Sequence, residues 1–405
     1  MVIPTAVDAG ELLRKACDDV REATAEDAVD GVVPRYVVAP ASAAETQEVL
    51  RATAGVRIVP RGAGSKLGWG APPEAVDVLL DTRRLNRITE YNPGDLVVSA
   101  EAGVTLGTVQ DAVAGHNQVL GLDPPEEGAT LGGVVAANAS GPRRLRYGSA
   151  RDLLIGVTVV LADGTLAQAG GKVVKNVAGY DLMKLYCGSL GTLGVLVSTT
   201  WRLHPRPPER RVVTARSFTG DTVQALLHSP LTPTAVEVSG EELVVLFESI
   251  GPSVSAQAEV AAKLISGEVV EELPPGFGQR PWSGPAFPSD GIGVTISSEL
   301  SALPQVLVAV RRLPEGCGPP TIRGRAACGV LEVAVPTLPP SGLAELRRAV
   351  APYDGSVIVR SAPPERKAEL DVWGPVGNAL PLMRQVKERF DPDRRLAPGR
   401  YIGGI

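Results

Sequence analysis

The segment PRGAGSKLGWG, residues 60–70, holds the densest cluster of small residues in the chain and directly follows a short predicted strand. Because glycine has no Cβ and tolerates positive φ, such a loop lets backbone N–H groups converge on an anion. The segment is not a Walker P-loop, and Leu67 stands where a GxGxxG fingerprint needs its third glycine. By itself it leaves both a tight turn and an anion-binding loop open.

Two further glycine-rich segments occur downstream. GATLGG at 128–133 leads into the small-residue run 134–141, and GSLGTLG at 188–194 precedes an apolar run. A helix-like segment opened by glycines combines a positive N-terminal dipole with room for a flat ligand. Each segment could serve packing alone, but three within one predicted domain, beside few charges, favour a large dinucleotide laid across the backbone.

The composition excludes several classes of protein. Glycine (45) and proline (35) are abundant among the 405 residues, but 44% of the chain is hydrophobic, which argues against disorder. A net charge of −5 argues against binding along nucleic acid, and 4% aromatic residues are too few for base-stacking platforms. The length favours two domains or one elaborated domain.

The cysteines and the apolar runs narrow the class further. Cys17, Cys187, Cys317 and Cys328 include no CxxC pair, so by themselves they form neither an iron–sulfur nor a zinc-finger site. Apolar runs stay shorter than the ~18 residues of a membrane span. The first residues turn acidic before a signal-type apolar stretch develops. We therefore expect a cytoplasmic protein without a transmembrane segment, membrane-peripheral at most through partners.

Hydrophobic periodicity predicts an α+β chain. A helix is predicted at 8–28, Pro60 is predicted to end a strand at 57–59, and Asp181 is predicted to cap a short helix near 182–185. Prolines 205, 207 and 208 indicate a domain boundary. We predict an N-terminal helical segment, a large domain of two subdomains, a smaller α+β cap domain and a C-terminal segment packing on the large domain. Their predicted bounds are 1–30, 31–206 (subdomains 31–90 and 91–206), 207–370 and 371–405.

Four segments resemble those of a known superfamily. They are PRGAGSKLGWG (60–70), DPPEEGATLGGVVAANASGPRR (123–144), RDLLIGVTVVLADG (151–164) and KNVAGYDLMKLYCGSLGTLGVL (175–196). In order and spacing they resemble the vanillyl-alcohol oxidase-type, or PCMH-type, FAD-binding domain. Within that superfamily, ASGPRR, VVKNVAGYDL, VWGP and FDPDRRLAPGR make the chain most similar to the FAD-binding (E) subunits of bacterial glycolate oxidase. The resemblance covers residues 30–206 and, less closely, 371–401.

This resemblance implies a PCMH-type two-subdomain FAD-binding domain with a smaller α+β cap, and it implies which residues bind FAD. Residues 61–65 resemble the pyrophosphate loop, and neutral backbone donors would hold the diphosphate. The implied FAD-binding residues are Pro60, Arg61, Gly62, Ala63, Gly64, Ser65, Pro124, Thr130, Gly132, Gly133, Ala137, Ser140, Gly141, Gly194 and Val195. Members with covalently attached flavin carry His where this chain has Ser65, so we expect non-covalent FAD.

The chain departs from the family pattern in two places. Ala397 replaces the usual Asn of the C-terminal motif. The related 2-hydroxy-acid dehydrogenases carry a clustered, metal-binding His-x-Gly-Asp segment, whereas His116, His204 and His228 lie in no such cluster. No metal site is therefore predicted, each histidine is interpreted as structural, and the catalytic residues stay unknown.

Other candidate residues have two interpretations each. Lys172 and Lys175 either lie near the flavin, where a cation would stabilise its reduced form, or form a solvated pair. Arg323 and Arg325 either clamp a carboxylate or carry surface charge. Cys187 is interpreted as a small buried hydrophobe.

The leading functional hypothesis follows from the resemblance. It is an FAD-binding subunit that works with a second flavin subunit and an iron–sulfur subunit to oxidise glycolate or a similar small 2-hydroxy acid. One alternative is a self-sufficient FAD-dependent dehydrogenase for a small hydroxy acid or alcohol. The other is a flavin-free paralogue that holds a complex together.

Overall fold

The computed structural model describes residues 6–172, 180–270, 287 and 290–405, and its first sheet has four strands. The strand order is β1-β2-β4-β3, with β2, β4 and β3 parallel and β1 antiparallel to β2. Its elements are α1 (Ala6–Ala16), β1 (Val20–Glu22), β2 (Tyr36–Val38), α2 (Ala43–Ala52), β3 (Ile58–Arg61) and β4 (Val78–Asp81).

The second sheet has five antiparallel strands in the order β5-β6-β10-β8-β9. Strands β7 and β11 form a separate, two-stranded antiparallel ladder. The strands are β5 (Ile88–Asn92), β6 (Val97–Glu101), β7 (Gln118–Val119), β8 (Leu154–Val160), β9 (Leu166–Gly170), β10 (Val195–Arg202) and β11 (His204–Pro205). The helices are α3 (Leu106–Ala114), α4 (Leu131–Ala137), α5 (Arg144–Tyr147) and α6 (Ala150–Leu153).

The third sheet has eight antiparallel strands in the order β15-β12-β14-β13-β17-β18-β16-β19. We call it the cap sheet. Its strands are β12 (Glu209–Ala215), β13 (Ala235–Ser239), β14 (Glu242–Ser249), β15 (Glu268–Val270), β16 (Ile292–Ser297), β17 (Thr321–Arg325), β18 (Val330–Val335) and β19 (Ser356–Ser361). The helices of this part and the C-terminus are α7 (Gly220–His228), α8 (Gly251–Leu264), α9 (Leu303–Arg311), α10 (Pro340–Val350), α11 (Pro364–Lys367) and α12 (Leu380–Phe390).

One apolar core joins the first two sheets. Ile58 and Leu80 of the first sheet pack in the same buried cluster as Val160 and Val195 of the second, each with 0% exposed surface. Burial of such side chains stabilises the fold by about 1.5–3 kcal/mol each. The C-terminal segment joins this core through Leu396, which forms a bridge with Ile58 at the free edge of β3. The loop after β3 is thereby held between two sheets and the C-terminus.

Three local predictions need correction. The helix predicted over 8–28 ends at Ala16, because Val20–Glu22 pairs with β2 instead. Pro60 lies inside β3, since this strand is at the sheet edge, where a missing N–H is tolerated. Asp181 makes no capping hydrogen bond; it pairs with Lys184 at 2.7 Å beside a 3₁₀ turn.

Other elements were not predicted. The sequence analysis did not identify β17, β19 or α9. Gly324 and two arginines interrupt the apolar pattern of β17, so its strand character comes from pairing with β13 and β18. The α+β class itself is confirmed.

Candidate functional site

A cleft lies between the loop after β3, the helix α4 and the turn that precedes β10. The empty space within it is about 850 Å³, which includes space open to solvent. It is lined by Val59, Pro60, Arg61, Gly62, Ala63, Gly64, Ser65, Lys66, Leu67, Thr82, Ala129, Thr130, Gly132, Gly133, Val134, Ala136, Ala137, Leu190, Gly191, Gly194, Leu196 and Arg400. All three glycine-rich segments therefore meet at one cleft.

Most of the predicted FAD-binding residues line this cleft, and four do not. Val195 is fully buried in the core between the two sheets. Gly141 packs on the Asp123 backbone so closely that a Cβ would collide with it. The Ser140 carbonyl accepts a hydrogen bond from Arg325, and Pro124 is buried. These four therefore lie outside the cleft lining, and their role in binding stays a prediction.

The loop 62–66 offers backbone donors. Its own hydrogen bonds run from the Leu67 N–H to the Gly64 carbonyl and from the Trp69 N–H to the Lys66 carbonyl. Across the described ranges, the N–H groups of residues 62–66 have no acceptor, and Gly64 has φ +79°. Consecutive free N–H groups with a left-handed residue form the kind of concavity that binds anions.

The cations of this loop are already neutralised. The Arg61 guanidinium bonds to Asp81 at 2.8 Å and to Asp27 at 3.2 Å. A hydrogen bond from Arg21 also holds the pKa of Asp27 below its usual range, so this carboxylate stays charged. Lys66 pairs with Glu126. Diphosphate binding by backbone donors, rather than by Arg or Lys, fits this arrangement.

The N-terminus of α4 differs from the expectation of free donors. The N–H groups of Leu131 and Gly132 donate to the carbonyls of Val104 and Ala102, at 2.9 and 2.8 Å. The Gly133 N–H donates to Thr130 Oγ1 at 3.3 Å. The first turn of this short helix therefore has its donors satisfied by protein, and it shapes the cleft rather than presenting N–H groups to it.

Two glycines explain why the cleft needs residues without side chains. Gly62 packs against Thr130, and a Cβ on Gly62 would collide with Thr130 Oγ1. Gly133 is exposed toward the cleft, where an added Cβ would contact only Thr130 Oγ1, at 3.1 Å. The first glycine thus allows two walls to touch, and the second leaves open the space that a flat cofactor needs.

Two C-terminal cations hold the loop that lines the cleft, and the sequence analysis assigned neither. Arg400 lines the cleft and donates through Nη2 to the Leu67 and Trp69 carbonyls. Lys367 donates to the Gly68 and Gly70 carbonyls and pairs with Asp30 at 2.6 Å. We call Lys367 and Arg400 the carbonyl clamp, because together they bind four successive carbonyls. Arg400 belongs to the quoted motif FDPDRRLAPGR, which was the available signal.

One hydrogen-bond donor of Arg400, its Nη1 group, is not used by the contacts to the loop. Its Nη1 is buried and has no hydrogen-bond partner in the described part of the protein. Burial lowers the pKa of Arg400 to about 10, so it is a cation at neutral pH. A buried cation with an unpaired donor at the cleft fits an anionic or carbonyl-bearing cofactor.

The other candidate residues lie away from the cleft lining. His116 and His204 pack edge-on against Tyr91 and Tyr147, at 5.5 and 4.9 Å between ring centres. Lys172 pairs with Glu90, while Lys175 lies outside the described residues. Arg325 is engaged by Glu332 and the Ser140 carbonyl, at 2.7 and 2.6 Å.

Three further features concern the Cys187 thiol, metal-binding side chains and membrane-spanning helices. Burial raises the pKa of the Cys187 thiol to about 11, consistent with a small hydrophobe rather than a thiolate. The described residues contain no cluster of three or more His, Cys, Asp or Glu side chains suited to a metal ion. In the same residues, helices are too short or too polar to cross a membrane.

Comparison with known proteins supports the interpretation of the cleft as an FAD-binding site. Residues 34–170 match the family model described as FAD binding domain. The chain is 41% identical over 152 residues to glycolate oxidase subunit GlcE of Escherichia coli, a match that covers 37% of this chain and 43% of the relative. It is 32% identical over 236 residues to glycolate oxidase subunit GlcD of Bacillus subtilis, a match that covers 56% of this chain and 50% of the relative. These matches span half or less of each relative.

A solved structure establishes the fold. The crystal structure of p-cresol methylhydroxylase with substrate bound superposes with a TM-score of 0.73 at 17% identity, covering 97% of this chain and 96% of the other. The fold and the cleft define the class, a flavoprotein with FAD as its cofactor. More particularly, its fold is the PCMH-type FAD-binding fold, as predicted.

Proposed function

We propose that this protein is an FAD-dependent oxidoreductase that serves as the FAD-binding subunit of a complex oxidising glycolate or a similar small 2-hydroxy acid. The carrying observation is the cleft, in which three glycine-rich segments and Arg400 meet, in a chain that is similar over part of its length to glycolate oxidase subunits. A second flavin subunit and an iron–sulfur subunit would complete the complex. The four cysteines of this chain, which contain no CxxC pair, support placing the clusters in a partner.

Each part of the cleft has a distinct task in this proposal. FAD, when bound, supplies the two-electron acceptor. The N–H groups of 62–66 would hold its diphosphate, and Gly133 leaves the space for its flat part. The carbonyl clamp fixes the loop to α11 and to the C-terminal segment. Arg400, with its free Nη1, would place a positive charge at the cofactor and stabilise negative charge as electrons arrive.

A second candidate function is a self-sufficient FAD-dependent hydroxy-acid dehydrogenase. It is favoured by the face of the cap sheet that meets Trp69, a residue shortly after the loop 62–66, where the Arg360 guanidinium of β19 lies over the indole ring. Such a face could hold a substrate without help from another subunit.

Anaerobic spectroscopy distinguishes the candidates. The purified protein should show a flavin spectrum, and glycolate or D-lactate should bleach it only after a second flavin subunit and an iron–sulfur subunit are added. Bleaching by substrate alone would instead identify the self-sufficient enzyme. A protein that neither retains nor takes up FAD would contradict both and identify a scaffold.

A further inference from the structure

The two faces of the cap sheet differ in character. One face is apolar and packs under the helices, through residues that include Val238, Val245, Val294, Val333 and Val359. The opposite face carries polar side chains on five neighbouring strands: Glu237, Arg325, Glu332, Thr295 and Arg360. The strand register places these side chains side by side, since Glu237 pairs with Arg325 and Glu332 pairs with Thr295. We call these five side chains the polar row.

This polar row faces the FAD-binding part of the protein. Arg325 reaches across to the Ser140 carbonyl at 2.6 Å. The Arg360 guanidinium lies over the ring of Trp69, 4.6 Å from its centre. Lys66, which lines the cleft, lies over the same ring at 5.2 Å. The cap sheet therefore contacts Trp69, which follows the loop 62–66. The Trp69 ring contacts both Arg360 of the cap sheet and Lys66 of the cleft lining.

Arg360 differs from the other cations of this interface because it has no carboxylate of its own. The paired cations are Arg325 with Glu332, Arg143 with Glu248 and Lys66 with Glu126. Within the described ranges, no carboxylate lies within ion-pair distance of Arg360, and its hydrogen bond runs from Nε to Thr295 Oγ1 at 3.3 Å. Glu332 acts on it only at longer range, because that carboxylate is bonded to Arg325.

The environment makes this unpaired charge costly. Burial lowers the pKa of Arg360 to about 10, while Glu237 on the same face cannot compensate, since burial raises its pKa well above the usual value. A guanidinium that is partly desolvated and has no anion beside it costs the fold free energy, and a bound anion would offset this cost. The side chain is only partly exposed, and its terminal amino groups have no acceptor in the described part of the chain.

We propose that Arg360, backed by Trp69 and held by Thr295, is the recognition residue for the carboxylate of an organic-acid ligand bound between the cap sheet and the cleft loop. The planar fork of arginine matches a carboxylate with two parallel hydrogen bonds. Its packing on Trp69 fixes the plane of the fork and adds a cation–π contact. This inference rests on the proposed function, in which the acid is the substrate.

Oxalate tests the site without turnover, because it carries carboxylates and no C–H bond that could supply a hydride. FAD-loaded protein is titrated with oxalate and followed by tryptophan fluorescence and the flavin spectrum. We expect saturable binding that Arg360→Gln weakens at least tenfold and Arg360→Lys weakens less. We also expect Arg360→Gln to raise the Tm of the ligand-free protein, and oxalate to raise the Tm of the wild type but not of this variant.

Arg347→Gln is the matched control. Arg347 donates to the Val357 carbonyl of the same strand, but from the helical side of the sheet. It should lower Tm and leave the oxalate affinity unchanged.

Three outcomes would overturn the assignment: no oxalate binding by the wild type, equal affinity in Arg360→Gln, or a loss of FAD affinity in Arg360→Gln as large as in Arg400→Gln. The last would mean that the anion is the cofactor's phosphate. Bleaching by glycolate with partners is measured separately. If oxalate binds through Arg360 but no hydroxy acid reduces the flavin, the proposed function fails and the carboxylate site stands.

Discussion

At the scale of single residues, Gly133 controls the space in the cleft. Its Cβ position is open apart from Thr130 Oγ1, so Gly133→Trp should fill the cleft and expel the flavin, while Gly133→Ala should weaken binding only slightly. Visible absorbance of the purified variants measures this. Gly115→Trp, at an exposed position with nothing within 4 Å of an added Cβ, serves as the control. A holo-like spectrum from Gly133→Trp would refute the assignment of the cleft.

Ala397 carries backbone strain. It is fully buried at φ +44°, a left-handed conformation that costs an L-residue roughly 1–2 kcal/mol, while its N–H bonds to the Ile58 carbonyl at 2.8 Å. Ala397→Gly should therefore raise the free energy of unfolding by about 1 kcal/mol in chemical denaturation. Ala349→Gly, inside α10, should lower it by about the same amount. Destabilisation by both variants would show that position 397 is not strained.

At the scale of elements, the carbonyl clamp couples α11 and the C-terminal segment to the carbonyls of residues 67–70. Lys367→Met leaves the Asp30 carboxylate, 4% exposed, without its partner, and removes donors from the Gly68 and Gly70 carbonyls. We expect the variant to lose about 3–5 kcal/mol of stability and to bind FAD more weakly. Chemical denaturation and quenching of FAD fluorescence measure the two effects.

A double variant separates folding from positioning. Asp30→Asn combined with Lys367→Met removes the unpaired charge and should recover part of the stability, while FAD binding stays weak. Arg395→Met should destabilise the protein with little effect on FAD, because its contacts, such as the Leu50 and Ala162 carbonyls, lie outside the cleft lining. If FAD affinity simply followed stability in all three variants, the clamp would have no positioning role.

Asp123 makes the stability of the fold depend on pH. Burial raises its pKa to about 7, although its carboxylate accepts from the Arg143 N–H at 3.0 Å. Between about pH 4 and pH 7 the folded chain keeps a proton that the unfolded chain has released. Stability should therefore fall as pH rises through this window, by up to ~1.4 kcal/mol per pH unit.

Asp123→Asn provides the measurement. The free energy of unfolding of the wild type should decline relative to that of Asp123→Asn as pH rises across the window, in denaturation series at several pH values. Asp111→Asn, on the exposed side of α3, should follow the wild type at every pH. A constant difference between wild type and Asp123→Asn would show that Asp123 is ionised throughout.

At the scale of the whole molecule, the parts that could be predicted are those with local causes. The loop 60–65, the start of α4 and the turn before β10 were identified because glycines at fixed spacing constrain the backbone wherever they occur. The carbonyl clamp could not be derived in this way, since Lys367 and Gly68 lie 299 positions apart. Strand β17 was missed for a similar reason, because its pairing is decided by neighbours in the sheet.

The same contrast applies to charge. Arg61 and Lys66 lie in or beside the predicted pyrophosphate loop, and Asp27, Asp81 and Glu126 neutralise them. Arg360 carries no sequence signal, yet within the described residues no carboxylate lies at ion-pair distance from it, and its hydrogen bond runs to Thr295. Which charge is available to a ligand is thus a property of the assembled sheets and not of a motif.

The nature of the cleft also determines how the flavin is held. Ser65 stands at the loop position where His occurs in members with covalently attached flavin, and the described lining contains no His, Cys or Tyr. In the proposed arrangement, backbone N–H groups and Arg400 would hold the flavin without a covalent bond, and their positions are lost on unfolding. Acid precipitation should release FAD into the supernatant, measured by its fluorescence after neutralisation. Flavin that stays with washed, denatured protein would show that a nucleophile outside this lining attaches it.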